Sequence, residues 1–255
     1  MIIEFIGSTG SGKTTLISKA LCELVKRTNA TISFDLIAAP LGLRGVSHPT
    51  VRNLIEEIVG LPFFIRSFSR HKDFLACTYR MFSRNTGFSF HTINNLRSLE
   101  RKLAAHEIIR LYCQDRIVLV DEGPMLAAHM FAFSGAYTTP SELAVFAELL
   151  PSPDLIIYVR APIDTLVKRT MQRADPPREM KINDPALTRS YIRRAVEIFD
   201  QLVEDENIRN RLLIVDNPDV SEKEHSILVS TIVEYILNHK CPSEATIKGQ
   251  VGKKC

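Results

Sequence analysis

The sequence is poor in several features that mark particular protein classes. Its five cysteines are scattered, and no two of them have Cys-x-x-Cys spacing. This argues against a zinc site and a disulfide framework. Scattered thiols are typical of a reducing cytosol, so we expect a cytoplasmic protein. With 45% hydrophobic and 24% charged residues, the composition also excludes a collagen-like, disordered or coiled-coil chain.

Long apolar runs are lacking as well. The longest stretch without Lys, Arg, Asp or Glu, from Gly123 to Ser141, contains two prolines and a histidine. This composition favours a buried or cleft-lining helix followed by a turn over a membrane span. The N-terminus has no basic region of the signal-peptide kind, and we expect Met1 to Ile6 to form a strand. We therefore expect no membrane association.

Basic and acidic residues are nearly equal in number, but they are unevenly distributed along the chain. The net charge of +3 is too small to imply a nucleic-acid partner by itself. Between Arg44 and Lys102, ten basic residues stand against four acidic ones, so this segment carries +6 and the remainder −3. A local positive field favours an anionic ligand, and ordinary solvated helix faces are the alternative.

Short apolar runs predict the strands of a sheet. Four of them are almost wholly apolar, which is typical of central parallel strands covered by helices on both faces. They are Ile2–Ile6, Ile117–Val120, Leu155–Val159 and Leu212–Val215. A fifth run, Thr31–Ile37, is rich in strand-forming residues but more polar, and we include it as a further candidate strand.

Helices are predicted between these strands. Apolar residues recur at three-four spacing over Thr14 to Lys26 and over Ile93 to Cys113. Capping boxes at Thr139–Glu142 and Ser221–Glu224 open two more helices, the first running to Leu150. Alternating strands and helices predict an α/β fold.

A phosphate-binding loop follows the first strand. Gly7-Ser8-Thr9-Gly10-Ser11-Gly12-Lys13-Thr14 fits G-x-x-x-x-G-K-[ST] at every fixed position, between an apolar strand and an amphipathic helix. Glycines let the backbone N–H groups turn toward phosphate oxygens, and the helix N-terminus adds partial positive charge. Lys13 is expected to reach the β- and γ-phosphates and Thr14 to hold Mg²⁺. The sequence therefore predicts a nucleoside triphosphate site.

Two other segments carry candidate partners of this loop. Asp121 and Glu122 end the Ile117–Val120 strand, where an acid commonly completes the Mg²⁺ site; the sequence does not decide between them. After the next strand, basic residues on a helix and the adjoining loop are placed to close over transferring phosphates, with a solvated basic face as the alternative. These residues are Arg169, Arg173 and Arg178.

Together these segments resemble the P-loop small-molecule kinases, nearest the thymidylate kinase and deoxynucleoside kinase branch. The resemblance covers roughly residues 1–30 and 115–238 and implies a five-stranded parallel sheet, ATP and Mg²⁺ as cofactors, and an arginine lid. It also implies that Asn217 and Pro218, after the last strand, lie near the adenine. The chain departs from thymidylate kinases in having Asp121-Glu122 where they have Asp-Arg, so the acceptor is not identified.

The resemblance also implies how the chain is organised. We predict a P-loop NTPase three-layer fold in one domain over 1–240, with a helical acceptor-side insertion at 40–113 and a lid-like segment at 165–180. Residues 241–255 are predicted to be a mobile tail. Oligomeric state is not indicated by the sequence.

The leading hypothesis is an ATP-dependent kinase of a small-molecule acceptor, one that is anionic and held by arginines such as Arg44, Arg97 and Arg101. A nucleotide-operated regulatory ATPase is a second hypothesis, although Asn-Lys-x-Asp and Leu-Ser-Gly-Gly-Gln motifs are absent. A kinase of nucleic-acid 5′ ends is a third, for which nucleic acid would be the partner.

The residues predicted to form the site fall into three overlapping groups. The catalytic candidates, three of which (Asp35, Asp121 and Glu122) are alternatives for the general base, are Lys13, Asp35, Asp121, Glu122, Arg169, Arg173 and Arg178. The nucleotide-binding candidates are Gly7, Ser8, Thr9, Gly10, Ser11, Gly12, Lys13, Thr14, Thr15, Asn217 and Pro218. The metal-binding candidates are Thr14, Asp121 and Glu122.

Overall fold

A five-stranded parallel sheet forms the centre of the protein. In the computed structural model, which describes residues 1–43, 45–46, 48–86, 90–133, 138–173, 184–219 and 221–239, the strand order is β2-β3-β1-β4-β5. The strands are β1 (Ile2–Ile6), β2 (Ala30–Ile32), β3 (Ile117–Val120), β4 (Leu155–Arg160) and β5 (Leu212–Asp216). The predicted five-stranded parallel α/β fold is confirmed.

Helices cover both faces of the sheet, which explains why its central strands are apolar on both sides. The helices are α1 (Lys13–Leu24), α2 (Ser33–Ala38), α3 (Pro49–Thr86), α4 (Phe90–Tyr112), α5 (Leu126–Phe133), α6 (Pro140–Leu149), α7 (Ile163–Met171), α8 (Pro185–Leu202), α9 (Glu206–Arg209) and α10 (Glu222–His239). One core, which includes Leu16 and Ile232, joins α1 and α10 to the sheet. The opposite core, which includes Phe131 and Phe199, joins α5, α6 and α8 to it. This is the predicted three-layer arrangement.

The central position of β1 sets the location of the site. Ile3 is paired with Leu119 of β3 on one side and with Leu155 of β4 on the other. Because all five strands are parallel, their carboxyl ends meet at one edge, where ligands of open α/β sheets bind. The glycine loop after β1, the acids after β3 and the segment after β5 therefore share that edge.

The predicted strand Thr31–Ile37 is wrong beyond Ile32, where the chain turns into α2. Phe34, Ile37 and Ala38 are the buried residues of that helix, and their three-four spacing is helical rather than alternating. The β-branched and aromatic residues of the run therefore pack as a helix face. Asp35 accordingly lies in the first turn of a helix, not at a strand end.

The segment 40–113, predicted as a helical insertion, contains two long helices. It is dominated by α3, of 38 residues, and α4, of 23 residues. Gly60 of α3 lies against Ala104 of α4, a close approach that leaves no room for a β-carbon.

Both predicted capping boxes are present, at Thr139 and at Ser221. Among the described residues, no helix is both long enough and apolar enough to cross a membrane. The proposed tail at 241–255 lies outside the described residues.

Candidate active site

The loop between β1 and α1 owes its shape to glycines. Gly10 and Gly12 have φ angles of 78° and 88°, in the left-handed region that residues with a β-carbon rarely adopt. A β-carbon at Gly10 would meet the carbonyl oxygen of Leu166 in α7. The loop is therefore both tightly curled and closely packed against the helix behind it, which fixes its conformation.

Lys13 lies across this loop. Its ammonium donates to the carbonyl oxygens of Gly7, at 2.8 Å, and of Ser8, at 3.1 Å. Burial lowers the pKa of Lys13, and the nearby carboxylates of Asp121 and Glu122 oppose that shift. The lysine is thus held near both acids that follow β3.

Thr14 and Asp121 are brought together from positions 107 residues apart. The Thr14 hydroxyl donates a hydrogen bond of 2.9 Å to Oδ2 of Asp121. Burial raises the pKa of Asp121, whereas Lys13 and the Thr14 hydrogen bond lower it. A hydroxyl and a carboxylate oxygen are hard oxygen ligands of the kind that Mg²⁺ takes when phosphates supply others. These two side chains therefore fit the predicted metal site better than Thr14 with Glu122 does.

Glu122 points to a different partner. Lys102 of α4 donates to its carboxylate at 3.0 Å and to its main-chain oxygen at 3.3 Å. Lys102 is 8% exposed, and its charge holds the pKa of Glu122 at about 2, far below the usual range. Glu122 is thus an anchored anion at neutral pH, with its own side chain 63% exposed toward solvent.

His129 of α5 lies near the same charges. Burial lowers its pKa to about 3, and the charges of Lys13 and Lys102 act in the same direction. Its Nε2 atom is 2.9 Å from the hydroxyl of Tyr191 in α8. A neutral imidazole therefore lies near the charges of Lys13, Glu122 and Lys102.

Glu4 packs against the turn that follows Asp121 and Glu122. It is the one ionisable residue of β1, it is 1% exposed, and its Oε1 accepts a hydrogen bond of 2.9 Å from the amide of Met125. A β-carbon at Gly123 would overlap the Glu4 carboxyl group. Glu4 and Gly123 thus fit together and position the turn that carries Asp121 and Glu122.

The predicted lid arginines have different surroundings. Arg169 donates to the main-chain oxygens of Asn217, at 3.0 Å, and Pro218, at 2.9 Å, and also reaches Gly10. It therefore connects the glycine loop to the segment after β5. Arg173 follows the end of α7 and donates to the Thr9 hydroxyl at 3.3 Å, on the loop itself. Arg178 lies outside the described residues.

Asn217 is used to hold the loop. Its side chain is 3% exposed, and its Nδ2 donates to the carbonyl oxygen of Ser11 at 2.8 Å. Pro218, by contrast, lines a cavity of about 340 Å³ beside the loop, together with Ser8 and Leu166. The Arg160–Asp216 ion pair lies at the same cavity. Of the two residues predicted near adenine, Pro218 is the one that faces a space of ligand size.

Other predicted residues are not brought to the loop by any contact described. Asp35 accepts a hydrogen bond of 3.2 Å from the amide of Gly45. Arg97 is paired with Glu57 of α3, and Arg101 approaches the same carboxylate at 3.9 Å. Part of the positive charge between Arg44 and Lys102 is therefore used in ion pairs between α3 and α4. Arg44 lies outside the described residues. Ser8 is buried in the loop, and Thr15 is exposed one residue beyond Thr14.

Sequence reasoning missed three residues of this region. Residue type alone does not distinguish Lys102 from the other basic residues of the positive segment, or His129 from the rest of the uncharged stretch. Glu4 had a readable signal, since it is a lone acid in an otherwise apolar strand.

Comparisons with known proteins found distant structural similarity. No protein-family model and no curated protein sequence matches the chain. Among solved structures, a deoxyadenosine kinase from M. mycoides, with the products dCMP and a flexible dCDP bound, is similar. It is 14% identical, the alignment covers 93% of this chain and 100% of that one, and the TM-score is 0.48. So distant a similarity does not indicate what this chain does.

Proposed function

We propose that the protein is a kinase that transfers the γ-phosphoryl group of ATP, with Mg²⁺, to a small-molecule acceptor. The observation that carries this proposal is the contact of Thr14 with Asp121 next to Lys13 in the glycine loop. A glycine-rich turn with no role in phosphate binding would not require an acid from another strand at this hydroxyl.

The donor phosphates are assigned to the glycine loop and the N-terminus of α1. Backbone N–H groups and the helix dipole favour negative charge there. Lys13 supplies a full positive charge to the β- and γ-phosphates, and Arg173 a second at Thr9. The cavity lined by Pro218 is the space that we assign to the nucleotide base.

Mg²⁺ is assigned to Thr14 and Asp121, whose oxygens fit its preference. The ion would neutralise charge that develops on the transferring phosphoryl group. Among the described residues, no group of three or more His, Cys, Asp or Glu side chains could hold a metal. Magnesium would take its remaining ligands from the nucleotide phosphates and water.

We assign the binding region of the acceptor to the surroundings of Glu122, Lys102 and His129. A carboxylate with a pKa of about 2 is a weak base, so Glu122 is suited to accept a hydrogen bond from an acceptor hydroxyl and to orient it. Phosphoryl transfer depends mainly on positioning and electrostatic stabilisation, so a strong base is not required. We propose nucleosides or nucleotides as acceptors on the basis of the resemblance in motif order.

The test is ATP consumption with Mg²⁺ against nucleosides, nucleotides, sugars and short oligonucleotides. We expect ADP formation to depend on one small-molecule class and to be lost in Lys13→Ala. Lys19→Ala, which removes an exposed lysine from the same helix, is the matched control and should retain activity.

Two results would contradict the proposal. Hydrolysis of ATP that no acceptor stimulates would favour a regulatory ATPase. Transfer confined to oligonucleotides, with strongly salt-dependent binding, would favour a kinase of nucleic-acid ends.

A further inference from the structure

A second cavity lies at the edge of the sheet opposite the glycine loop. Its volume is about 620 Å³, which is in the range of sites for small molecules. It is called here the amino-edge cavity, because its lining includes Ile2 and Ile117, the first residues of β1 and β3, and Asp154, which immediately precedes β4. Residues of the second half of α4 and of the loop after it also line the cavity. The proposed transfer reaction makes no use of it.

His106 of α4 lines the amino-edge cavity with a side chain that has unused hydrogen-bonding atoms. It is 7% exposed, and neither of its ring nitrogens is hydrogen-bonded to another described residue. Burial lowers its pKa to about 4, so at pH 7 the ring is neutral and has one donor and one acceptor nitrogen. A buried polar group without a hydrogen bond destabilises a fold. An imidazole of this kind at a cavity therefore points to an occupant that supplies the missing partner.

Two ionic side chains of the lining also have unused hydrogen-bonding atoms. The guanidinium of Arg116 forms no hydrogen bond or ion pair with another described residue. Asp154 accepts a hydrogen bond of 2.6 Å from the Ile2 amide through Oδ2, which leaves Oδ1 without a partner in the described part of the chain. Arg110, the other arginine of the lining, is instead paired with Glu107 at 3.0 Å. The cavity therefore offers a cationic and an anionic group to a ligand.

The charges around the amino-edge cavity favour a zwitterion over a simple anion. The helices α4 and α10 both end at this cavity, and the carboxyl end of a helix carries partial negative charge. Together with Asp154, these helix ends favour a positive group, whereas the guanidinium of Arg116 matches a planar carboxylate in two-pronged geometry. The Met1 amino group and Asp115 also line the cavity and are opposite in sign. The lining thus has separate places for an ammonium and for a carboxylate.

We propose that the amino-edge cavity binds a free α-amino acid with an apolar side chain. Arg116 binds the carboxylate of this ligand, and Asp154 binds its ammonium through Oδ1. His106, on which Asp154 acts electrostatically, gains the hydrogen-bond partner that it lacks. All three groups are then satisfied by one molecule.

The apolar part of the ligand is bound by isoleucines. Ile2, Ile109 and Ile117 are buried residues of the lining, and removal of an apolar side chain from water against them favours binding. The strand β1 begins at Ile2 and ends beside Gly7, so the amino-edge cavity and the glycine loop are at opposite ends of the same strand. The proposed amino-acid site does not depend on the proposed kinase activity.

The test measures binding of three related indole compounds to the full chain. The protein contains no tryptophan, so the fluorescence of an added indole can be excited selectively. Tryptophan carries both ionic groups, tryptamine lacks the carboxylate, and indole-3-propionate lacks the ammonium. We expect saturable binding of tryptophan, with each of the other two at least about ten-fold weaker because each loses one charged hydrogen-bonding group. Leucine and phenylalanine, measured by competition, extend the test to other apolar side chains.

Variants of the two ionic residues should respond to different probes. Arg116→Gln should weaken the binding of tryptophan roughly ten-fold and leave that of tryptamine unchanged, because tryptamine has no carboxylate. Asp154→Asn, which can still accept from the Ile2 amide, should weaken tryptophan similarly and leave indole-3-propionate unchanged. Arg209→Gln, at an exposed arginine of α9, is the control and should bind like the wild type. Lys13→Ala should also bind like the wild type, which separates this site from the glycine loop.

Four results would overturn the proposal, provided that circular dichroism of each variant matches the wild type. They are absence of saturable binding of all three amino acids, tryptamine or indole-3-propionate binding as tightly as tryptophan, and equal responses of every probe to both substitutions. The fourth is binding that appears only after residues 240–255 are deleted, since the chain itself would then fill the cavity.

Discussion

The buried carboxyl group of Glu4 should make folding stability fall as the pH rises. Burial raises the pKa of Glu4 from 4.5 to about 8, although the Met125 amide, Lys102 and the Gly123 amide all favour the ionised form. Between these two values the folded protein holds a proton that the unfolded chain has released. The free energy of unfolding contributed by Glu4 is therefore fully present below pH 4.5 and is lost as the pH rises toward 8.

The expected size follows from the width of that window. Each pH unit corresponds to about 1.4 kcal/mol, so the complete loss approaches 5 kcal/mol as an upper bound. Glu4→Gln keeps a neutral group of the same shape, with an oxygen that can accept from the Met125 amide. The variant should match the wild type near pH 4.5 and exceed its stability progressively up to pH 8, with no further gain above.

Urea unfolding at closely spaced pH values between 4.5 and 9 measures this difference. Comparing variant with wild type at each pH cancels other titrations, including His106 and His129, whose pKa values burial lowers to about 4 and about 3. Glu148→Gln, at an exposed glutamate of α6, is the control and should give a flat difference. A flat difference for Glu4→Gln as well would refute the reasoning, because it would mean that Glu4 is ionised in the fold.

Four further predictions concern the proposed site. Lys13→Ala should lower kcat at least about a hundred-fold in the transfer assay while changing Tm little without nucleotide, because the glycines set the loop conformation. Asp121→Asn should weaken the Mg²⁺ dependence of kcat, whereas Glu122→Gln should mainly raise KM for the acceptor; equal responses of both variants would contradict the separate assignments. Arg173→Ala should lower kcat and kcat/KM together by roughly ten- to a thousand-fold, with poor rescue by lysine. Arg169→Ala should instead raise KM for ATP and lower Tm, since this arginine binds main-chain oxygens; kinetics and thermal melts of both variants distinguish the two roles.

The layers of the fold were predictable because their signals are local. Almost wholly apolar runs predict four strands, and the glycine loop predicts the turn after β1 from residue spacing alone. The second strand was overestimated because Ser33 to Ala38 carries strand-forming residues whose burial pattern is helical. Tertiary packing, which the sequence does not display, decided between the two.

The candidate site was predictable on its donor side and much less on its acceptor side. A phosphate-binding loop has fixed spacing, whereas Lys102 reaches Glu122 from a helix 20 residues away along the chain. The roles of Arg169 and Asn217 also could not be read from residue type, because a guanidinium or an amide binds main-chain oxygens as readily as a ligand. Only the contacts of these side chains distinguish a residue that supports the loop from one that binds nucleotide.

The distances along the chain between contacting residues bear on how the protein can be synthesised. Ser11 is hydrogen-bonded to Asn217, 206 residues later. In the described part of the chain, the strand before Asn217, β5, lies at an edge of the sheet and pairs with β4 alone. Parallel strands and such non-local pairs form slowly, since long loops have to close before their contacts stabilise anything. A ribosome-bound chain that has not yet released β5 would contain the whole phosphate-binding motif without the amide that holds Ser11. Nucleotide binding should therefore develop late in synthesis, when the last strand joins the sheet.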